Sequence, residues 1–247
     1  MARIRERPIF IYHQIGDYPA DLMQYGVTSA AFRSHLDALE ELNLEAIPLD
    51  RMLAQMKGEA PFSPRVVSLT FDGGFRDAAE NALPILTERN IKTTFFIPTE
   101  YVGKEHALYR ANLPCMDWGQ IMELLAAGMT IGSLGRYGAR LTEIKPSKWR
   151  EDARTARRTL EDKLGAPVRY HAYRETFPNR RLRKCFIEEG FEGVLTMCPT
   201  LRRSDLYRIG RIQVDDEAPN VFQSKASNLL SIFQGQARLA AHPEIQD

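Results

Sequence analysis

Cysteine is scarce and poorly spaced for metal or cross-link chemistry. Cys115, Cys185 and Cys198 are the only three, and no C-x-x-C occurs. That excludes the usual zinc-knuckle spacing and argues against a disulfide framework, leaving reduced thiols as the expectation. An excess of charge of one sign is also missing. Lys plus Arg number 33 against 32 Asp plus Glu, a net charge of +1. No field gathers polyanions, so no nucleic-acid partner is expected. The local basic runs 150–158 and 180–184 have acids in or beside them and read as solvated helix faces. No apolar run is long enough to span a bilayer, so no membrane insertion is expected. The opening MARIRERPIFIYHQIG carries basic residues but no signal-peptide apolar region. A cytoplasmic location is therefore expected. There is no dinucleotide fingerprint, P-loop or G-x-S-x-G elbow. His13, His35, His106, His171 and His242 are scattered, with no i, i+4 pair and no H-x-x-H, so spacing alone predicts no zinc site.

What is present is an alternation of apolar runs and helical patterns over 247 residues. PIFIYH (8–13), LEAIPL (44–49), RVVSLTF (65–71), IKTTFFIP (91–98), MTIGS (129–133), VRYHAY (168–173), GVLTM (193–197) and LYRIGRIQV (206–214) read as strands. Helices are expected at 30–42 behind a Thr28 or Ser29 cap, after Asp50 through Met56, and at 76–89 despite Pro84. Further helices are expected at 118–127, 146–164, 179–189 and 226–240, while 101–116 reads as irregular. Strands buried on both faces and separated by helices imply right-handed β-α-β units and a parallel sheet. No linker or repeat divides the chain, so one domain is expected. Pattern alone does not separate a closed barrel from an open doubly wound sheet. In both, chemistry lies at the C-terminal strand ends.

Those ends carry a short set of polar residues. His13 follows the first strand, and Asp72, Gly73 and Gly74 follow RVVSLTF. Ser133 and Leu134 follow MTIG. His171, Tyr173, Arg174 and Glu175 lie at the end of VRYHAY, and Arg208 and Arg211 flank the last strand. A lone acid such as Asp72 reads either as a turn or cap residue or as a catalytic base. A lone His13 reads either as a hydrogen-bonded structural residue or as an acid–base group. Their joint placement at one end adds modest weight to the functional readings and leaves both alternatives open.

In order and spacing, IYHQIGD (11–17), YGVTSAAFRSHLDALEELNLEAIPLDRML (25–53), VVSLTFDGGFRDAAENALPIL (66–86), IKTTFFIPTEYVG (91–103), MDWGQIMELLAAGMTIGS (116–133), LEDKLGAPVRYHAY (160–173) and YRIGRIQV (207–214) resemble the polysaccharide deacetylase family. These are the NodB-homology, family-4-like carbohydrate esterases, and the resemblance is to the branch opening with Y-H-x-I. It implies a distorted (β/α)7 barrel of the polysaccharide deacetylase (NodB-homology) type over 1–216. Residues 217–247 would then form a C-terminal helix and tail, packed on the barrel or in an oligomer contact.

The family's members are hydrolases that use zinc or another divalent metal to remove acetyl groups from sugars. The ion polarises the carbonyl and lowers the pKa of its bound water toward about 7. The family draws one metal ligand from the second Asp of T-F-D-D-G and two from H-[ST]-x-x-H. Here the first motif reads TFDGG and the second LGRYG. The resemblance therefore gives Asp72 the role of base and His13 that of candidate general acid. It places Gly73, Leu134 and Gly138 where metal ligands belong. The family loop F-A-Y-P-Y-G appears as HAYRETF, with Arg174, Glu175 and Thr176 in place of its last three residues. Candidate substrate-binding residues are His171, Tyr173, Arg174, Glu175, Arg136 and Arg211. Arg136 and Arg174 could supply the positive charge of an absent ion.

No cofactor is expected. The resulting expectation is a metal-free, catalytically impaired homologue that binds a carbohydrate or a partner, with homo-oligomerisation open. The alternative is a hydrolase on acylated sugars, cleaving C–N or ester bonds with Asp72 and His13 under altered metal dependence.

Overall fold

The computed structural model describes residues 8–17, 26–108, 111–139, 143–174, 180–197 and 205–227. Its strands are β1 (Ile9–Tyr12), β2 (Gln14–Ile15), β3 (Gly26–Val27), β4 (Glu45–Ala46), β5 (Val66–Asp72), β6 (Thr94–Ile97), β7 (Glu105–Leu108), β8 (Ala111–Pro114), β9 (Thr130–Ser133), β10 (Tyr170–Ala172), β11 (Gly193–Leu195) and β12 (Ile212–Gln213). Seven of them form a parallel path, β11-β10-β9-β6-β5-β1-β12, with β4 added beside the start of β5. Because every pairing in this sheet is parallel, the C-terminal strand ends gather at one rim. The seven residues of β5 are all buried, as a central parallel strand requires.

One segment brings the two edges of the sheet together. Its first half bonds to β11, with Val194 N–H donating to Leu206 O at 2.7 Å and Thr196 N–H to Ile209 O at 2.8 Å. Its second half lies against β1, in the register Phe10↔Ile212 and Ile11↔Gln213. The sequence reads 206–214 as one strand. The chain instead changes partner at Gly210–Arg211, so regular pairing survives only over β12. The curled sheet is the expected distorted (β/α) barrel.

The helices α1 (Ser29–Glu41), α2 (Leu49–Lys57), α3 (Leu83–Glu88), α4 (Trp118–Ala126), α5 (Trp149–Leu164), α6 (Arg180–Glu188) and α7 (Pro219–Ala226) surround it. Helix α1 buries Phe32, His35, Leu36 and Leu39, an i, i+3, i+4, i+7 face. Thr28 caps it, accepting from Ala31 N–H at 3.1 Å. The Thr28 hydroxyl and N–H both donate to Asp216 at 3.0 Å, which ties α1 to the segment leading into α7. His35 continues that seam. Its Nε2 meets Glu217 O at 3.2 Å, and its ring stacks on Phe222 with centroids 4.4 Å apart.

Three local expectations are corrected. LEAIPL is a strand only at Glu45–Ala46, because Pro48 offers no ladder N–H and instead precedes α2 as its cap. The helix expected at 76–89 opens as a π-turn over Ala78–Ala82, with Leu83 N–H bonded to Ala78 O. The wider turn accommodates Pro84, whose ring would clash in a regular α-turn. Within the expected irregular stretch 101–116, Glu105–Leu108 and Ala111–Pro114 pair as an antiparallel hairpin. The hairpin lies outside the β-α-β alternation, and its exit is sealed to the loop after β5 by the Phe75↔Cys115 bridge and Met116 N–H to Gly74 O at 2.8 Å. The helix expected at 226–240 falls mostly outside the described residues, as do Cys198 and Glu175.

Thr28→Ala removes the cap acceptor and the hydroxyl bond to Asp216 together. A loss of about 1–2 kcal/mol is expected in urea titration, and a smaller loss in Asp216→Ala.

Candidate active site

Asp72 is the last residue of β5, and its carboxylate lies inside the curled sheet at 2% exposure. The side chain of Arg211, fully buried, meets it with NH1 to Oδ1 at 2.6 Å and NH2 to Oδ2 at 2.7 Å. This is the fork geometry of a strong charge-assisted pair. Two further donors are used as well. Arg211 Nε donates to Thr196 O at 3.1 Å and NH1 to Thr70 Oγ1 at 3.2 Å, while the Thr70 hydroxyl donates to Phe10 O at 2.8 Å. The guanidinium lies 5.3 Å from the Phe96 ring centroid. Arg211 therefore contacts groups from β5, β6 and the end of β11, and reaches β1 only through the Thr70 hydroxyl.

His13 follows β1 and is buried. Loss of solvation lowers its pKa to about 4. The Asp72 charge opposes that shift, while Arg211 and Arg174 add to it. At neutral pH the imidazole is uncharged. Arg174, half-buried after β10, acts electrostatically on both His13 and His106, which places its charge near this rim.

Other candidates lie in different surroundings. His171 is packed against Phe186 and Phe191, with centroids at 4.5 and 5.1 Å, and Nδ1 is 3.2 Å from Ser133 Oγ. Burial lowers its pKa to about 3. Tyr173 is also buried and stacks on Phe186 at 5.9 Å. Arg136 is taken by Glu100, with Nε at 2.9 Å and NH2 at 2.5 Å from Oε1, and lies over Tyr137 at 5.0 Å. Its charge is thus already paired, unlike the expected stand-in for an ion. Glu175 lies outside the described residues.

The three positions where the resemblance puts metal ligands carry no polar side chain. Gly73 has φ +105°, and Phe75 lies against the space a side chain there would use. Leu134 is buried in a cluster with Phe96, Tyr170 and Leu195. A Cβ on Gly138 would sit 3.3 Å from Leu134 Cδ2 and 3.4 Å from Pro98 Cβ. Among the described residues no group of three or more His, Cys, Asp or Glu could hold a metal ion. The sequence reading missed Phe75, Thr70 and His106. Two adjacent glycines after Asp72 are the available signal for the turn that brings Phe75 back.

Two outcomes are expected. Arg211→Met leaves Asp72 buried without its cation, a loss of about 3–5 kcal/mol in denaturant titration. The double variant Asp72→Leu/Arg211→Met loses less, because no charge is stranded. For His13 and His171, the folded pKa lies below the unfolded 6.5. The unfolded chain then binds more protons, so the stability held above pH 6.5 drains as pH falls toward about 4 and about 3. His171→Gln should flatten the urea-midpoint slope below pH 6.5 by up to about 1.4 kcal/mol per pH unit.

Comparison with known proteins agrees with this architecture. The family model described as polysaccharide deacetylase matches residues 59–194. Over 210 residues the chain is 21% identical to "Putative polysaccharide deacetylase YxkH" of Bacillus subtilis (strain 168), covering 84% of this chain and 71% of that protein. The fold is shared with IcaB from Ammonifex degensii, at TM-score 0.77 and 22% identity over 89% of this chain and 95% of that one. It is shared too with the Streptococcus pyogenes deacetylase PplD, solved in complex with acetate, at TM-score 0.77 and 17% identity over 89% and 97%. With more than half of its length matched by the family model, and the parallel curled sheet in place, this chain belongs to the polysaccharide deacetylase (NodB-homology) family.

Proposed function

We propose that this protein is a metal-free member of its family, which binds a carbohydrate or a protein partner at the rim around Asp72 and does not carry out metal-dependent deacetylation. The observation that carries the reading is the trio Gly73, Leu134 and Gly138, together with the packing around them. Two glycines and a leucine offer no side-chain donor, and a divalent ion needs three protein ligands with one position open. These residues do not fit such an ion. Without it, water retains a pKa of about 15.7, and several kcal/mol of transition-state stabilisation are missing. Asp72 and His13 then serve the ligand site as polar groups, with Arg174 contributing charge.

A second reading is favoured by one observation. Asp72 and His13 are both buried at one rim, and the Asp72 charge acts on the imidazole. An ester on a sugar is a better electrophile than an amide and asks less of these two groups where no metal assists.

The purified protein should hold no stoichiometric zinc, cobalt or nickel by elemental analysis. It should also release no acetate from N-acetylglucosamine oligomers, with or without added metal. One tightly held ion per chain, or chelator-sensitive acetate release, would overturn the first reading. Chelator-insensitive release of acetate from O-acetylated sugars, abolished by Asp72→Ala or His13→Ala, would select the second.

A further inference from the structure

Missing donors are one barrier to a metal ion, and packing supplies another. We propose that Phe75 has taken over the volume that a ligand side chain at position 73 would need, so that the site is closed to a divalent cation by the fold of the loop after β5 as well as by its residue types. This deepens, and rests on, the metal-free reading.

The geometry distinguishes the three positions. At Gly73 a Cβ would lie 2.8 Å from Cδ2 and 2.9 Å from Cζ of Phe75, and nearer still to Cε2. Real side chains do not approach so closely, and φ +105° is a backbone region that a residue with a Cβ rarely enters. The ring is not a loose end that could swing aside. It is 2% exposed, clusters with Leu113 and Cys115, and lies 6.1 Å from the His106 ring in a stacked orientation. Backbone bonds from the hairpin hold the loop on its other side: Phe75 is bridged to Cys115, and Met116 N–H donates to Gly74 O. Positions 134 and 138 are different. Leu134 already carries a side chain of near-imidazole size, and Gly138 needs its neighbours to give only a few tenths of an ångström. Its φ of +57° lies in the left-handed region that histidine enters more readily than bulkier residues. Of the three positions, the one beside Asp72 is barred.

Zinc titration calorimetry and elemental analysis on the full chain test this with restored-donor variants. L134H/G138H should stay folded by circular dichroism and bind no zinc one-to-one, and G73D/L134H/G138H should melt at a clearly lower temperature and also bind none while folded. Adding F75A to the second should give about one ion per chain, at least roughly tenfold tighter than without it. Equal zinc affinity with and without F75A would overturn the plug and leave the metal-free reading standing. A folded four-site variant that binds no zinc would also overturn it. One ion per chain on the unsubstituted protein would instead sink the metal-free reading itself. Should the four-site variant not fold, G73A, F75A and G73A/F75A decide the matter by thermal melts. The proposal needs the double variant to melt well above the sum of the single shifts, and additive shifts overturn it.

Discussion

The Asp72–Arg211 pair is the contact on which the interior of this barrel depends. It joins the end of β5 to the point at which the closing segment changes partner, from β11 to β1. A carboxylate and a guanidinium removed from water are tolerable only when each lone pair and N–H is matched. Here both carboxylate oxygens are engaged, and the remaining guanidinium contacts reach Thr70 and Thr196. The pair is therefore a geometric specification more than a source of net stability. A hydrophobic substitute of equal volume could hold the fold but would not fix where the segment turns. Everything at the rim is placed relative to that turn.

The histidines follow from the same interior. Burial strips solvent from His13 and His171, and in both it is the leading cause of the lowered pKa. For His13 the neighbouring carboxylate pulls the other way, but its effect is offset by Arg211 and Arg174. The carboxylate's pull on the imidazolium is opposed by the guanidinium bonded to it, so burial decides the outcome. That explains how a histidine beside an acid can stay neutral. It also separates the two residues chemically: Asp72 is committed to Arg211, while His13 stays an uncharged imidazole at neutral pH.

Much of this architecture was legible in the sequence, and the exceptions have physical causes. Runs of apolar and small hydroxyl residues revealed β5 and β6, because a parallel strand buried on both faces leaves little room for charged positions along it. Thr28, followed by Phe32, Leu36 and Leu39, revealed α1 for the same reason of one-sided burial. The hairpin at 105–114 was hidden because its stability comes from docking on the Phe75 loop, a long-range contact with no local period. The partner change at Gly210–Arg211 was hidden because strand propensity does not encode which edge a residue meets. At the site, residue types identified Asp72, His13 and Arg211 as polar groups at strand ends. The enclosure of His171 and Tyr173 by Phe186 depends on α6 packing across β10, which no motif records.

Position 73 shows why a one-residue difference can have a wider reach than its side chain. An aspartate there would need backbone in an ordinary region, with space ahead of it. A glycine permits φ +105°, and this turn brings residue 75 back over the vacated volume. The aromatic ring then recruits its own neighbours, Leu113 and Cys115 from the hairpin, and becomes part of a buried cluster. From that point, reversal at position 73 alone places a charged group against a packed ring. Interiors accept such a group only with a compensating partner. On the proposed metal-free reading, loss of the donor and refolding of the loop reinforce each other. On that reading the packed ring stands where a ligand side chain would be, beside a carboxylate already paired with Arg211.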